Sequence, residues 1–352
     1  MTLLIDLLLL AVSFVVILAG AELFTNGIEW LGQKLGLGEG MVGSVLAAVG
    51  TAMPETMIPI IAIIFVGTAQ SEEIGIGAIL GAPFLLSTAA MFVTGVAVLA
   101  YHRSGRRKNV LSINQVIVGR DLRFFLGMYI VAIALGLPLF DKPLWLRVVA
   151  GVLLVGAYVL YVRQTASDPK SQTNADADAL SPLHFQRRLD TPKTRAVLLQ
   201  VFVALAAIIF GANLFVTEIE DLASMLGIAP LILSLIIAPL ATELPEKFNS
   251  VIWIRQRKDT LAMGNISGAM VFQSCIPVAV GLWFTPWVLN EFAIVSAVIA
   301  IAAGVLMQIY LRSGSVLSGR ELTSLGILYA AFLVYVFAFP HGGLAPAALT
   351  PP

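Results

Sequence analysis

Two glutamates stand where glutamate is expensive. Glu55 and Glu246 lie about midway along long apolar stretches, each closing a Thr-x-x-Pro-Glu segment: Thr51-Ala52-Met53-Pro54-Glu55 and Thr242-Glu243-Leu244-Pro245-Glu246. An ionisable side chain in such a stretch marks an ion or proton path, the plainer reading being a neutral glutamate that locks two helices. The prolines add donors. Pro54 and Pro245 lack the N–H that would bond the carbonyls of Gly50 and Ala241, and the break is expected to loosen the Thr51 and Thr242 carbonyls as well. At membrane depth such oxygens are tolerated where they face protein, a cavity or an ion. Two carboxylates with several backbone oxygens form a hard, oxygen-only donor set. It suits Ca2+ better than zinc or copper, since no histidine or thiolate cluster accompanies it. Glu243 and Lys247 add two charges at a spacing of four residues, in the order that favours an ion pair along one helix.

The elements that must hold these groups are membrane helices. Of the 352 residues 59% are hydrophobic and 12% charged, and the mean hydropathy is +0.93, far above the range of soluble domains. The formal net charge of zero supports no nucleic-acid partner. The single cysteine, Cys275, excludes an internal disulfide and reads as an inert buried thiol. His102, His184 and His341 fall in polar or terminal segments, and no metalloprotease, nucleophile-elbow or phosphate-loop pattern appears, so neither an enzyme nor a bound cofactor is expected. Taking about 20 apolar residues per span, the chain predicts ten transmembrane helices near 3–25, 40–66, 74–101, 123–140, 144–162, 196–217, 228–254, 261–284, 289–311 and 322–340. The first carries Asp6 and no basic leader, unlike a cleavable signal peptide. Of the 21 basic residues, 18 fall in or beside alternate connectors, Lys142, Arg147 and Lys247 being the exceptions. The positive-inside rule then places those connectors in the cytoplasm and both termini outside. The basic cluster at 103–108 is explained by topology, with anionic lipid as the alternative partner. The runs Glu72-Glu73 and Glu218-Ile219-Glu220-Asp221 read as solvated connector faces.

The chain also repeats itself. At an offset of 191 residues Gly20-Ala21-Glu22-Leu23-Phe24 falls on Gly211-Ala212-Asn213-Leu214-Phe215, and the two Thr-x-x-Pro-Glu segments coincide. At 187, Gly77-Ala78-Ile79-Leu80-Gly81-Ala82 falls on Gly264-Asn265-Ile266-Ser267-Gly268-Ala269. An odd number of spans per half inverts the second half, the architecture of alternating-access transporters. The expected organisation is a first five-helix repeat over 1–162, a cytoplasmic linker over 163–195, a second repeat over 196–340 and a tail over 341–352. The linker, rich in Ser, Thr, Asp and Ala, reads as a flexible tether rather than a regulatory site.

These residues resemble the calcium/cation antiporter superfamily, which includes the sodium/calcium exchangers. The specific signal is the pair of Thr-x-x-Pro-Glu segments and the Gly-rich starts of spans 3 and 8. The resemblance implies that Glu55 and Glu246 are the calcium carboxylates and that the Thr51 and Thr242 carbonyls complete the ligand set. The departures bear on the counter-ion. Where the family carries side-chain oxygens that help hold sodium, this chain has Ala52, Ala82, Leu86 and Ala269, with Gln273 supplying a neutral amide. Calcium ligands survive and sodium ligands largely do not. Lys247, or a proton on Glu243, then stands in for sodium, and the expected function is exchange of Ca2+ for H+ or Na+ by alternating access. The alternatives are a sodium/proton exchanger on the same scaffold and an ion-binding membrane protein that does not transport. Short loops without a large cytosolic domain suggest a prokaryotic inner membrane, with small cations and the lipid bilayer as partners and the oligomeric state open.

Overall fold

The computed structural model describes residues 2–35, 53–139, 142–167, 181–189, 191–312 and 317–339; for residues 2, 53, 166, 167 and 244–249 the description is of the backbone alone. Apart from one isolated bridge, Val110 to Ser318, the regular structure among the described residues is helical. In chain order the helices are α1 (Thr2–Lys34), α2 (Met53–Ile60), α3 (Ala69–Leu85), α4 (Met91–Arg103), α5 (Gln115–Gly136) and α6 (Leu144–Ser167). The second half continues with α7 (Thr194–Leu226), α8 (Pro230–Arg255), α9 (Asp259–Phe284), α10 (Glu291–Arg312), α11 (Gly319–Ser324) and α12 (Gly326–Ala338).

Among the described residues seven stretches are long and apolar enough to cross a bilayer: Leu3–Lys34, Ala69–Arg103, Leu144–Thr165, Thr194–Leu226, Asp259–Phe284, Glu291–Arg312 and Gly319–Ala338. Pro54–Val66 and Pro230–Glu243 are shorter apolar helices. Helix α5 starts eight residues before the predicted span at 123, so it carries Arg120, Asp121 and Arg123 in its first turns. Asp121 is held there by Tyr161 (2.9 Å) and Ser267 (2.8 Å). The predicted span 40–66 is described from Met53 onward, and its first part lies outside the described residues.

Two π-helical turns interrupt the first half. One, Ile61–Val66, follows Pro59; the other, Leu86–Ala90, joins α3 to α4 just beyond Pro83. In the second the cause is local. The hydroxyls of Ser87 and Thr88 both donate to the Phe84 carbonyl, competing with the regular backbone donor and widening the turn. Pro245 does not interrupt the helix: α8 runs from Pro230 to Arg255 through both Pro239 and Pro245. A proline removes one hydrogen bond, but packing on both sides keeps the helix in line.

Helices α1 and α7 cross in an antiparallel seam whose two sides mirror each other. A β-carbon on Gly20 would lie 2.8 Å from Ile208 Cγ1 and 3.2 Å from the Ala204 carbonyl. On Gly211 it would lie 2.8 Å from Ile17 Cγ1 and 3.1 Å from the Ser13 carbonyl. Each contact maps onto the other at the 191-residue offset, the reciprocity of a two-fold axis.

Two polar clasps tie connectors to helix ends. Arg107 makes a two-pronged ion pair with Asp259 (2.9 and 2.7 Å) and also donates to the Ile254 and Val110 carbonyls. The predicted tether is docked over part of its length. The Ser181 carbonyl accepts from Asn26 and Trp30, Phe185 N–H donates to Gln200, and Leu183 is fully buried between α1 and α7. The polar composition of this segment concealed the fact that its backbone groups find fixed side-chain partners.

Candidate ion site

Three helices meet around Glu55. Helix α2 contributes Glu55 and Ile58, α3 contributes Ala78 and Ala82, and α8 contributes Ala238, Pro239 and Thr242; together they enclose a cavity of about 10 Å³. That is roughly the room one water-sized body needs. Spacings of three or four residues (55/58, 78/82, 238/242 and 239/242) place the lining groups of each helix on one face. Glu55 is 6% exposed and, among the described residues, is the one charged residue in the lining. With Ile58, Pro239 and alanine methyls as the apolar walls, its field is weakly screened, and a cation entering the cavity would feel it strongly.

The close approach of α3 to α8 has a specific origin. Pro239 has no N–H to offer the Leu235 carbonyl four residues earlier. That carbonyl points at Gly81, where an added β-carbon would meet it at 2.3 Å and Pro239 Cγ at 2.7 Å. Glycine is required here because a backbone oxygen already occupies the side-chain space. Ser234 reinforces the contact by donating to the Ile74 carbonyl at 2.7 Å. Thr242 is 2% exposed, and its hydroxyl donates back to the Ala238 carbonyl at 3.1 Å.

Adjacent to Thr242, Glu243 is 1% exposed and faces α9, where Gln273 Nε2 donates to its Oε1 at 3.4 Å. The bond is long, and it gives buried Gln273 a carboxylate partner. The backbone of Glu246 and Lys247 is helical, one turn beyond Thr242 and Glu243; their side chains, and Thr51 as a whole, lie outside the described residues. The structure therefore brings Glu55 together with Thr242, and Glu243 together with Gln273. The predicted Glu243–Lys247 pair falls outside the description.

Sequence reasoning overlooked Pro239 and Pro59. The signal was present, since each is a proline within an apolar stretch. Pro59 removes the regular donor to the Glu55 carbonyl just as Pro239 does for Leu235. Ala78, Ala82 and Ala238 carried no such signal, because a small apolar residue looks the same in a cavity wall and in a helix seam.

Long apolar helices packed around a buried carboxylate define an integral, multi-pass membrane protein. The chain belongs to the sodium/calcium exchanger protein family, whose model matches residues 5–164 and 196–339, and that family consists of cation exchangers. It is 24% identical over 351 residues to the sodium/calcium exchanger MaX1 of Methanosarcina acetivorans, covering 95% of this chain and 99% of the relative. It is 20% identical over 285 residues to the inner membrane protein YrbG of Escherichia coli, covering 81% and 82%. The fold is similar to that of the H+/Ca2+ exchanger CAX, with a TM-score of 0.67 at 14% identity over 94% of this chain and 82% of that one. It is also similar to the sodium-calcium exchanger NCX_Mj, with a TM-score of 0.55 at 17% identity over 94% and 98%.

Proposed function

We propose that this protein exchanges Ca2+ for H+ by alternating access at a site built from Glu55 and Glu246, with the Thr51 and Thr242 carbonyls as further ligands. The observation that carries this reading is the cavity in which Glu55, from the first half, meets Thr242, from the second. A hard cation there faces a carboxylate and threonine oxygen and no nitrogen or sulfur donor. The architecture proposed around it is ten transmembrane helices in two inverted five-helix repeats, 1–162 and 196–340, joined by a linker over 163–195, with both termini outside. The reciprocal Gly20 and Gly211 contacts support the repeat. Family membership and the resemblance to an inner membrane protein of a bacterium support a prokaryotic cytoplasmic membrane.

The choice of proton over sodium rests on composition at the site. The cavity wall has alanine at 78 and 82, where a sodium ion would need oxygen. Glu243, bonded to Gln273, is a buried carboxylate next in sequence to a proposed calcium ligand and suited to carry a proton in exchange. The deciding experiment is calcium uptake into proteoliposomes under an imposed proton or sodium gradient. Uptake driven by the proton gradient and indifferent to sodium is expected; uptake driven by sodium alone sinks the proton assignment. Sodium/proton exchange without calcium flux would replace the whole reading.

A further inference from the structure

The acidic run 218–221, expected in a solvated connector, lies inside α7, and Glu218 is 4% exposed. The register of the α1–α7 seam shows what it meets. Gly27 packs on Val201, Gly20 on Ile208 and Ile17 on Gly211. Continued by two turns, that antiparallel register puts Leu10 opposite Glu218 and Asp6 opposite Leu222, so Asp6 sits within one turn of Glu218 across the seam. One buried oxygen on each, Asp6 Oδ2 and Glu218 Oε2, accepts no hydrogen bond from the protein.

Among the described residues no base answers these charges. The basic residues of α1 and α7 are Lys34 and Arg195, both at the opposite end of the pair. The charges acting on Glu218 are those of Asp6 and Asp221, both negative. Glu220 is occupied with the Thr68 hydroxyl at 2.9 Å. Of the other helices packed on α7, α3 brings Glu72 and Glu73 near its start, Glu73 accepting from the Leu231 backbone; α8 has no charged group between Pro230 and Thr242, and α2 has Glu55 alone. Glu218, buried in an apolar seam with no compensating base, is costly to hold as a bare carboxylate. A calcium ion calls for six to eight oxygens, and among the described residues no group of three or more Asp, Glu, His or Cys side chains forms a metal-binding cluster. A proton needs only the two oxygens that have no partner.

We propose that Glu218 carries a proton and donates it to the Asp6 carboxylate across the α1–α7 seam, a protonation site separate from the Glu55 cavity. The proton makes one carboxyl a donor to the other and stitches together the end of the seam that lacks close glycine contacts. The folded protein then holds a proton on Glu218 that the unfolded chain releases. Stability present while the pair is protonated is lost as pH rises and the proton leaves.

The test uses the full-length protein in lipid, in a Glu55→Gln background so that the cavity carboxylate does not contribute, and does not depend on calcium transport. Infrared spectra near neutral pH should show a protonated-carboxyl carbonyl band that disappears in Asp6→Asn and in Glu218→Gln. Raising the pH from about 6 to about 9 should lower the melting temperature by about 2–4 °C, and both substitutions should flatten that dependence. A band that persists in both variants, or an unchanged pH slope in both, overturns the proposal. So does a band that is absent without sodium and calcium, or one that either ion abolishes at constant pH, because the occupant would then be a metal. Asp6→Asn is nearly isosteric at a partly buried position near a helix start, so it keeps the test open should Glu218→Gln fail to fold.

Discussion

Glu55 is buried among methyl groups, so changing its charge while keeping its shape is the sharpest perturbation available. Glu55→Gln is expected to lower calcium uptake by more than about tenfold, since losing even 1.4 kcal/mol of cation stabilisation has that effect. It should also abolish the calcium-dependent rise in melting temperature. Glu246→Gln should behave alike if both carboxylates hold the ion; calcium flux unchanged in both variants removes the site. Glu243 makes a different prediction. Because it faces Gln273 across α8 and α9, Glu243→Gln should leave calcium-dependent thermal stabilisation largely intact while uncoupling uptake from a proton gradient. A loss of calcium binding in that variant would make Glu243 a ligand. The two glutamates of the Thr-x-x-Pro-Glu segments were legible in the sequence because a lone charge in an apolar stretch is costly. Partners such as Gln273 were weaker signals, since an amide becomes meaningful only when its neighbour is known.

At the scale of the element, backbone contacts set the geometry. Gly81 admits the Leu235 carbonyl that Pro239 leaves without its regular donor, so Gly81→Val must push α3 off α8. The expected cost is about 1–3 kcal/mol of stability together with a fall in calcium uptake, because Ala78 and Ala82 on the same helix line the cavity. Full activity with a wild-type melting temperature would show that the contact is slack. The Arg107–Asp259 clasp, with side chains 6% and 3% exposed, makes a stability prediction. Arg107→Leu leaves a buried carboxylate without its cation and should cost about 3–5 kcal/mol, seen as an earlier thermal transition; an unchanged transition would mean that water replaces the arginine. Helix existence was readable from apolar length. The π turns at 61–66 and 86–90 were not, because they arise from competition between specific hydroxyl, proline and backbone groups.

Across the whole molecule, the alternation of basic residues predicts topology. A cysteine placed at Gly105, in a Cys275→Ser background, should react with an impermeant thiol reagent only from the cytoplasmic side. Labelling from outside would reverse the orientation of the repeats and of the Asp6–Glu218 pair. The two-fold relation between halves showed as an offset in the sequence, and the reciprocal packing of Gly20 and Gly211 gives that offset a spatial counterpart. The halves are not equivalent at every contact. One end of the α1–α7 seam is met by Leu183 and Ser181, while the opposite end carries Asp6 and Glu218.

Composition and spacing by themselves determined that this chain lives in a membrane, that it repeats, and that Glu55 and Glu246 are its costly residues. Each follows from a local free-energy rule: the price of charge in hydrocarbon, the length a helix needs to cross, the improbability of a repeated motif at one offset. Only the tertiary structure decided that Glu55 meets Thr242, that alanines close the cavity, and that Glu218 is buried against α1. Those depend on which faces of distant helices are pressed together. That choice is made by small residues and reciprocal shape, which leave almost no mark on the chain read in one dimension.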